Sequence, residues 1–213
     1  MNDQARRANP IRAGQRCLFE RRVTVLCFVA ALSLVGAGCE SRPAVNEAAA
    51  PEHRSPQEEL DPALAAGFKN VYQDDDGQVL LTGLPGPSGL KAAADHGVVV
   101  VVDLLTDEES VGRDEAARVT ALGMDYVHIP VSPASFSPAD VDRFAEVMEG
   151  AGGVVLVHCA SANRSGGLWA AYLNRYRGVP LEQAVAIGRS TGLRRDSMID
   201  AVRRVAASDP SGE

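Results

Sequence analysis

Runs of aliphatic residues alternate with amphipathic segments from about residue 67 onward, and this alternation predicts strands separated by helices. The aliphatic runs predict strands at residues 79–82, 98–104, 126–129 and 154–157. Apolar residues at helical spacing predict helices at residues 88–95, 113–122, 138–148, 165–176, 181–187 and 196–206. The run at 98–104 lacks alternation, which indicates burial on both faces. The pattern therefore predicts an α/β domain with a mainly parallel sheet flanked by helices.

Capping residues indicate where some of these helices begin and end. Ser88 offers an N-cap to the first helix, and Gly97 ends it. Ser137 is the predicted N-cap of the third helix, with Pro138 at its first position. Residues 83–87 are rich in glycine and proline, which predicts a turn before the first helix.

The first 38 residues differ in composition from the rest of the chain. Residues 1–22 carry six arginines against only Asp3 and Glu20, and an apolar run follows at 23–35. This order is typical of a secretory signal peptide, and the run falls short of the ~20 apolar residues that span a membrane. Cys39 follows Gly36-Ala37-Gly38, which resembles a bacterial lipobox with glycine where leucine is usual. We expect residues 1–38 to be a lipoprotein-type signal peptide, Cys39 to be lipidated, and the protein to be exported as a periplasmic or cell-envelope lipoprotein. An uncleaved anchor or plain secretion is the alternative.

Residues 39–65 are rich in alanine, proline and glutamate and contain few large apolar side chains. Such a composition buries too little surface to offset the entropy of ordering, so this segment is a predicted flexible tether. The α/β domain is then expected at residues 66–208, with a short tail at 209–213.

Charge limits the partners of the predicted domain. Without residues 1–38 the chain keeps 15 basic and 26 acidic residues, a net charge of −11. A domain this acidic is not expected to bind nucleic acid, and we expect it to meet the membrane only through the N-terminal anchor. No cofactor or metal site is predicted, because no histidine or cysteine spacing matches a zinc motif and the run at 74–77 lacks the glutamate of a calcium loop.

The stretch at residues 152–168 carries the candidate chemistry. Cys159 ends the predicted strand at 154–157, and Arg164 lies five residues later, where a helix is predicted to begin. If Cys39 is lipidated and the signal peptide is removed, Cys159 is the sole remaining free thiol, which excludes a disulfide framework. A helix N-terminus and a guanidinium both favour the thiolate and bind oxyanions.

These residue types predict attack on phosphorus, with Cys159 as the nucleophile and Arg164 as a bidentate clamp on two phosphate oxygens. Ser165 is expected to donate a hydrogen bond to the thiolate, and His158 to orient the loop from behind. The predicted phosphate-binding residues are Ala160, Ser161, Ala162, Asn163, Arg164 and Ser165.

The sequence at residues 158–166, H-C-A-S-A-N-R-S-G, resembles the signature of bacterial dual-specificity-like phosphatases, in particular the phosphatase domain of beta-lactamase-hydrolase-like proteins. The likeness extends from about residue 68 to 193 and includes the segments at 82–85, 101–104, 126–131, 168–173 and 188–189. The resemblance implies a cysteine-phosphatase fold, with Cys159 as nucleophile, Arg164 as phosphate binder, and a phosphorylated protein or small phosphate ester as substrate.

Three features differ from most phosphatases of this kind. The loop is C-x4-R, one residue shorter than the common spacing, and Ala162 replaces a usual glycine. If that position needs a positive φ, alanine costs about 1 kcal/mol there. The general-acid aspartate is expected after residues 128–131, but serine, proline, alanine and serine follow. Asp140, at the start of a helix, is the candidate acid.

Two other functions remain open from the sequence. A rhodanese-like sulfurtransferase also uses a six-residue loop from cysteine to arginine, and Asp103 after a strand would suit it. A phosphate- or phosphoprotein-binding module would keep the loop without turnover, consistent with Ala162 and the absent acid. The histidine before the cysteine and the helix after the loop favour the phosphatase.

Overall fold

The computed structural model describes Leu60 and residues 62–208 of the 213-residue chain. Every described residue belongs to the unit Ala49–Glu213. The predicted signal peptide, Cys39, nearly all of the predicted tether and the tail at 209–213 lie outside the described residues.

One sheet of five strands forms the centre of the domain, in the order β1-β2-β5-β3-β4. The strands are β1 (Val71–Gln73), β2 (Val79–Thr82), β3 (Val98–Asp103), β4 (Asp125–His128) and β5 (Val154–His158). The pairs β2–β5, β5–β3 and β3–β4 are parallel, and the edge strand β1 runs antiparallel to β2. The predicted mainly parallel sheet is confirmed. The sequence pattern does not reveal β1, because its three half-buried residues include no aliphatic run.

Helices cover both faces of the sheet. In the described part of the chain they are α1 (Pro62–Gly67), α2 (Pro87–Asp95), α3 (Asp107–Ser110), α4 (Glu115–Ala121), α5 (Pro138–Gly150), α6 (Asn163–Arg177), α7 (Leu181–Ser190) and α8 (Asp196–Ala207). Side chains from α5 to α8 pack on one face, and side chains from α1, α2 and α4 pack on the other. No helix among the described residues has the length and apolar content needed to cross a membrane.

Several predicted boundaries differ from the structure. The N-cap of α2 is Gly86 and not Ser88, because Pro87 already has the helical φ and needs no amide partner in the first turn. α6 begins at Asn163, two residues before the predicted start. The domain boundary drawn at residue 66 falls inside α1, where Leu64 is buried against the sheet.

The last residues of four strands are in register at one edge of the sheet, where the candidate site lies. Thr82 on β2 and Asp103 on β3 both lie in register with His158 on β5, and Asp103 is also in register with His128 on β4. Since parallel strands end at the same edge of a sheet, the loops that follow them meet there. The residue after His158 is Cys159, so the candidate nucleophile leaves the middle strand at this edge.

Candidate active site

Cys159 is fixed by the two strands on either side of β5. Its amide donates to the Thr82 carbonyl oxygen over 3.2 Å, and the preceding His158 carbonyl accepts from the Leu104 amide over 3.0 Å. The side chain is only 1% exposed. Cys159 is also a free thiol and the one cysteine within the described residues. These contacts fix the backbone of the candidate nucleophile at the start of the signature loop, residues 158–165.

The loop turns into α6 through a left-handed residue. Ala162 has φ 65° and ψ −5°, and it is the non-glycine residue with positive φ in the described part of the chain. Its carbonyl accepts hydrogen bonds from the Gly166 amide at 2.9 Å and from the Ser165 hydroxyl at 3.0 Å. Position 162 therefore has the positive φ that was considered from the sequence. Alanine is held there in a backbone conformation that residues with a Cβ disfavour.

Ser165 has a different role from the predicted one. Its hydroxyl lies 3.0 Å from the Ala162 carbonyl and 3.3 Å from the Thr82 carbonyl, and these are its hydrogen-bond acceptors in the described structure. A hydroxyl has one proton, and here it braces the loop rather than pointing to Cys159. The start of α6 at Asn163 nevertheless places the first-turn amides of the helix directly after the loop.

Arg164 is held by a carboxylate and two carbonyls. Its Nη1 lies 2.6 Å from Glu109 Oε2, and its Nη2 lies 2.9 Å from Glu109 Oε1. Nη1 also approaches the carbonyl oxygens of Leu104 at 3.2 Å and Val131 at 3.0 Å. A bidentate pair of this kind fixes both the position and the plane of the guanidinium.

These contacts use one edge of the guanidinium and leave the other available. Among the described residues, neither Nε nor the second hydrogen of Nη2 donates to an oxygen. Two parallel N–H groups on one edge match two oxygens of a phosphate. The pKa of Arg164 stands above its ordinary value: burial alone would lower it, but the bond to Glu109 and the neighbouring Cys159 thiol raise it. The arginine is therefore charged and lies beside the candidate nucleophile.

The role of Glu109 at the site is not predicted from the sequence. Glu109 lies in α3, where it forms a capping box with Thr106, its Oε2 accepting from the Thr106 amide over 2.9 Å. The bond to Arg164 holds the pKa of Glu109 below its ordinary value. The T-x-x-E pattern after β3 is a readable signal for the capping box. No local pattern, however, indicates that this glutamate also binds an arginine 55 residues later.

Asn163 and Arg194 connect the signature loop to the segment between α7 and α8. The Asn163 side-chain oxygen accepts the backbone amides of Arg194 and Arg195, both at 2.9 Å. The Arg194 guanidinium donates to the Ser161 carbonyl at 2.8 Å and to the Gly192 carbonyl at 3.1 Å. Arg194 thus lies before α8, with its guanidinium against the loop.

The His158 side chain lies close to two acidic side chains. Its Nε2 is 2.6 Å from Glu115 Oε1 and 3.6 Å from Asp103 Oδ1. Within the described residues, these three side chains form the one group whose ligand atoms are close enough to share a metal ion. The sequence gives no sign of this cluster, because β3, α4 and β5 each contribute a single member.

The candidate general acid, Asp140, is engaged elsewhere. Its Oδ2 accepts from the Ser137 amide and from the Ser137 hydroxyl, both at 2.9 Å, which closes the N-terminus of α5. Ser132 and Ser135, which follow the strand where an acid is expected, hydrogen-bond to each other over 2.9 Å. The described structure thus shows no contact between Asp140 and the signature loop, and residues 132–135 contribute no carboxylate.

Comparison with known proteins finds phosphatase-like relatives. Residues 86–174 match the family described as beta-lactamase hydrolase-like protein, phosphatase-like domain. A candidate phosphatase (DUF442) from Shewanella putrefaciens CN-32 is 28% identical, with a TM-score of 0.55 over 67% of this chain and 92% of that chain. No curated protein matches the sequence.

Two more distant structures share the fold. TpbA of P. aeruginosa is 19% identical, with a TM-score of 0.55 over 70% of this chain and 88% of that chain. PTPMT1, solved in complex with PI(5)P, is also 19% identical, with a TM-score of 0.55 over 64% of this chain and 94% of that chain. The resemblance drawn from the signature loop is thus confirmed: the chain has a cysteine-phosphatase fold, and its residues 86–174 match the phosphatase-like domain family of beta-lactamase hydrolase-like proteins.

Proposed function

We propose that this protein hydrolyses phosphate monoesters through a cysteinyl-phosphate intermediate. The observation that carries the proposal is a buried free thiol, Cys159, beside Arg164 in the first turn of α6, where Nε and one hydrogen of Nη2 donate to no oxygen of the described residues. A thiolate, a bidentate cation and helix N-terminal amides supply a nucleophile and donors for an anion. The phosphatase-like family supports phosphatase chemistry in general.

The proposed reaction has two steps. The Cys159 thiolate donates an electron pair to phosphorus, an S–P bond forms, and the P–O bond to the leaving group breaks. Arg164 binds two phosphoryl oxygens through Nε and Nη2, where negative charge is stabilised in the transition state. Water then attacks phosphorus, the S–P bond breaks, and inorganic phosphate and the thiolate are released. Glu109 keeps the guanidinium plane fixed through both steps.

The leaving group decides which esters react. With Asp140 bound to Ser137, no carboxylic acid in the described contacts stands ready to protonate the departing oxygen. A phenol, with a pKa near 10, leaves as an anion far more readily than an aliphatic alcohol. We therefore propose aryl phosphates, including phosphotyrosine, as the preferred substrate class. TpbA was solved with pTyr and PTPMT1 with PI(5)P, so phosphate esters enter sites on this fold.

The first experiment assays the full-length protein with p-nitrophenyl phosphate and, separately, with thiosulfate plus cyanide. The variants are Cys159→Ser and Arg164→Ala, with Arg189→Ala as a matched control for loss of an exposed arginine on α7. Phosphate release that both site variants abolish and the control retains supports the proposal. Thiocyanate formation would instead identify a sulfurtransferase.

A binding module is the second candidate, favoured by the strained Ala162 and by the engagement of Asp140 in a helix cap. Such a protein would release no phosphate, yet vanadate or phosphate would raise its melting temperature through Arg164. Arg164→Ala would then abolish that rise. Turnover of p-nitrophenyl phosphate by the wild type excludes this candidate.

We also propose that the protein is exported and lipidated at Cys39. The support is the order of basic, apolar and small residues before that cysteine. Treatment with globomycin is expected to accumulate a larger precursor, and a palmitate analogue is expected to label the wild type but not Cys39→Ala. A single unlabelled species in both conditions would contradict the lipid anchor.

A further inference from the structure

Three ionisable side chains are buried together behind the signature loop. Asp103, Glu115 and His158 are 1%, 5% and 0% exposed. His158 Nε2 is the shared neighbour, 2.6 Å from Glu115 Oε1 and 3.6 Å from Asp103 Oδ1. The proposed reaction uses none of the three directly. His158 is nevertheless joined by one peptide bond to the nucleophile.

Buried carboxyl groups need polar or charged partners. Removing a carboxylate from water costs several kcal/mol unless a charge or hydrogen bonds compensate. Arg113 approaches Glu115 only to 3.8 Å, from a partly exposed position. The imidazole of His158 lies much closer and faces both carboxylates. We take this imidazole as the group that holds Glu115 in the interior.

The distances favour a direct pair over a shared metal ion. An ion 2.0–2.2 Å from both ligand atoms would see His158 Nε2 and Glu115 Oε1, 2.6 Å apart, at an angle of about 80°. A tetrahedral site needs an angle near 109°. Neither of the His158 nitrogens nor Glu115 Oε1 has a hydrogen-bond partner by geometry, so the close approach of Nε2 to Oε1 is not a directional hydrogen bond.

The two carboxylates differ in how they are held. Asp103 accepts from the Tyr126 hydroxyl at 2.7 Å and from the Leu105 amide at 2.8 Å, so its position is fixed without His158. Glu115 has no such hydrogen bonds among the described residues, and α4 presents it to the imidazole. Glu115 is therefore the member whose main interaction is with His158.

We propose that Glu115 is a positioning residue: its contact with His158 fixes the start of the signature loop and thereby aims Cys159. Glu115 itself would touch no substrate. The expected effect of Glu115 on turnover rests on the proposed function. Its expected effect on the accessibility of the Cys159 thiol does not, because that can be measured without turnover. Arg164 is anchored separately through Glu109, so loss of Glu115 should impair the nucleophile while substrate binding persists.

A double-mutant cycle tests the coupling in the full-length protein. The variants are Glu115→Gln, which keeps the side-chain shape, His158→Gln, and the two combined. We expect Glu115→Gln to lower kcat about tenfold with KM changed less than about twofold. In the His158→Gln background, Glu115→Gln should cause no further loss, because the carboxylate has already lost its partner.

The second measurement is the rate at which iodoacetamide alkylates Cys159, followed by mass spectrometry of its peptide. Because this thiol is 1% exposed, a loosened loop should react about threefold faster or more in Glu115→Gln. Val119→Ala is the matched control: Val119 lies buried on the same helix and its apolar side chain makes no ion pair or hydrogen bond. This variant should lower the melting temperature but leave the alkylation rate of Cys159 unchanged. It should not lower kcat selectively while KM stays the same.

The outcomes separate the two proposals. If the wild type releases no phosphate, the proposed function fails, and the alkylation cycle alone decides whether Glu115 acts through His158. The inference is overturned if the effects of Glu115→Gln and His158→Gln on kcat and on alkylation add in the double variant. It is also overturned if Val119→Ala, at the same loss of stability, changes kcat and alkylation as much as Glu115→Gln does. If Glu115→Gln does not fold, Glu115→Asp, which keeps the carboxylate but withdraws it from His158, replaces it in the cycle. One zinc ion per chain that Glu115→Gln abolishes would assign the cluster to a metal and also overturn the inference.

Discussion

The substitution Ala162→Gly tests whether the backbone of the signature loop is strained. Ala162 connects Cys159 to α6 with φ 65°, and its side chain is fully buried. A buried alanine normally loses stability when it becomes glycine. At this position the substitution also relieves an unfavourable backbone conformation, so the two effects oppose each other.

The magnitudes nearly cancel. Left-handed backbone costs a residue with Cβ about 1–2 kcal/mol, and glycine removes that cost. Loss of the buried methyl group costs about 0.8 kcal/mol. The extra freedom of glycine in the unfolded chain costs about 0.4–1 kcal/mol. We therefore expect the free energy of unfolding of Ala162→Gly to lie within about 0.5 kcal/mol of the wild type.

Ala170→Gly is the matched control. Ala170 is fully buried in the interior of α6, where no left-handed strain exists to be relieved. The methyl and entropy terms then add, and the expected loss is about 1.2–1.8 kcal/mol. Urea unfolding of both variants can be followed by fluorescence, since Trp169 is the only tryptophan in the chain.

The difference between the two variants is the strain at Ala162. If Ala162→Gly loses as much stability as Ala170→Gly, the left-handed conformation carries no cost, and the account of the loop is wrong. A difference of about 1–2 kcal/mol supports it. Strain at a loop of this kind is expected only where the surrounding contacts fix it.

Three further predictions concern the groups around the loop. Glu109→Gln should lower kcat/KM for p-nitrophenyl phosphate about fivefold to tenfold, because Arg164 loses its charged partner; Glu149→Gln, an exposed substitution, should change it less than about twofold. The lowered pKa of Glu109 means that its stabilising effect is present above its ordinary value of 4.5 and is lost as pH falls below it. The melting-temperature difference between wild type and Glu109→Gln should therefore be largest near neutral pH and shrink in acid; a difference that grows in acid would contradict the sign. Asn163→Ala removes the acceptor of two backbone amides and should lower the free energy of unfolding by about 1–3 kcal/mol in urea, whereas an unchanged midpoint would show that water replaces it.

The layered fold could be predicted because its signals are local. Buried strands in a parallel sheet require aliphatic residues at successive positions, as at residues 98–103, and such runs stand out in the sequence. The signature loop is also local, since residues 158–165 contain the nucleophile, the cation and the helix start. β1 and α1 lack such runs, and they depend on packing against the sheet.

The partners of the loop could not be predicted, because they come from distant parts of the chain. Glu109 reaches Arg164 only after β3 and β5 pair and bring their loops together. Glu115 reaches His158 for the same reason. A glutamate in a short helix after a strand reads as a helix cap from sequence, and Glu109 is indeed one. Its contact with Arg164 depends on the order of the strands in the sheet, which no local pattern reveals.

Asp140 is the reverse of the two glutamates: the sequence suggests a catalytic role for it, but its contacts belong to a helix cap. Asp140 has a residue type suited to proton donation and lies near the expected place in sequence, yet its carboxylate closes the α5 N-terminus. An acid three residues after a serine is the pattern of a capping box, and here that pattern outweighs the catalytic interpretation. The serine pair at residues 132 and 135 stands where the acid was expected.

The central claim is that Cys159 carries the phosphoryl group during turnover. Wild type and Cys159→Ala can be mixed with p-nitrophenyl phosphate, quenched in acid during turnover, digested and analysed by mass spectrometry. The account predicts a phosphoryl group on the Cys159 peptide of the wild type, and neither this adduct nor phosphate release in the variant. Phosphate release that persists in Cys159→Ala, or a phosphoryl group on another residue, would contradict it.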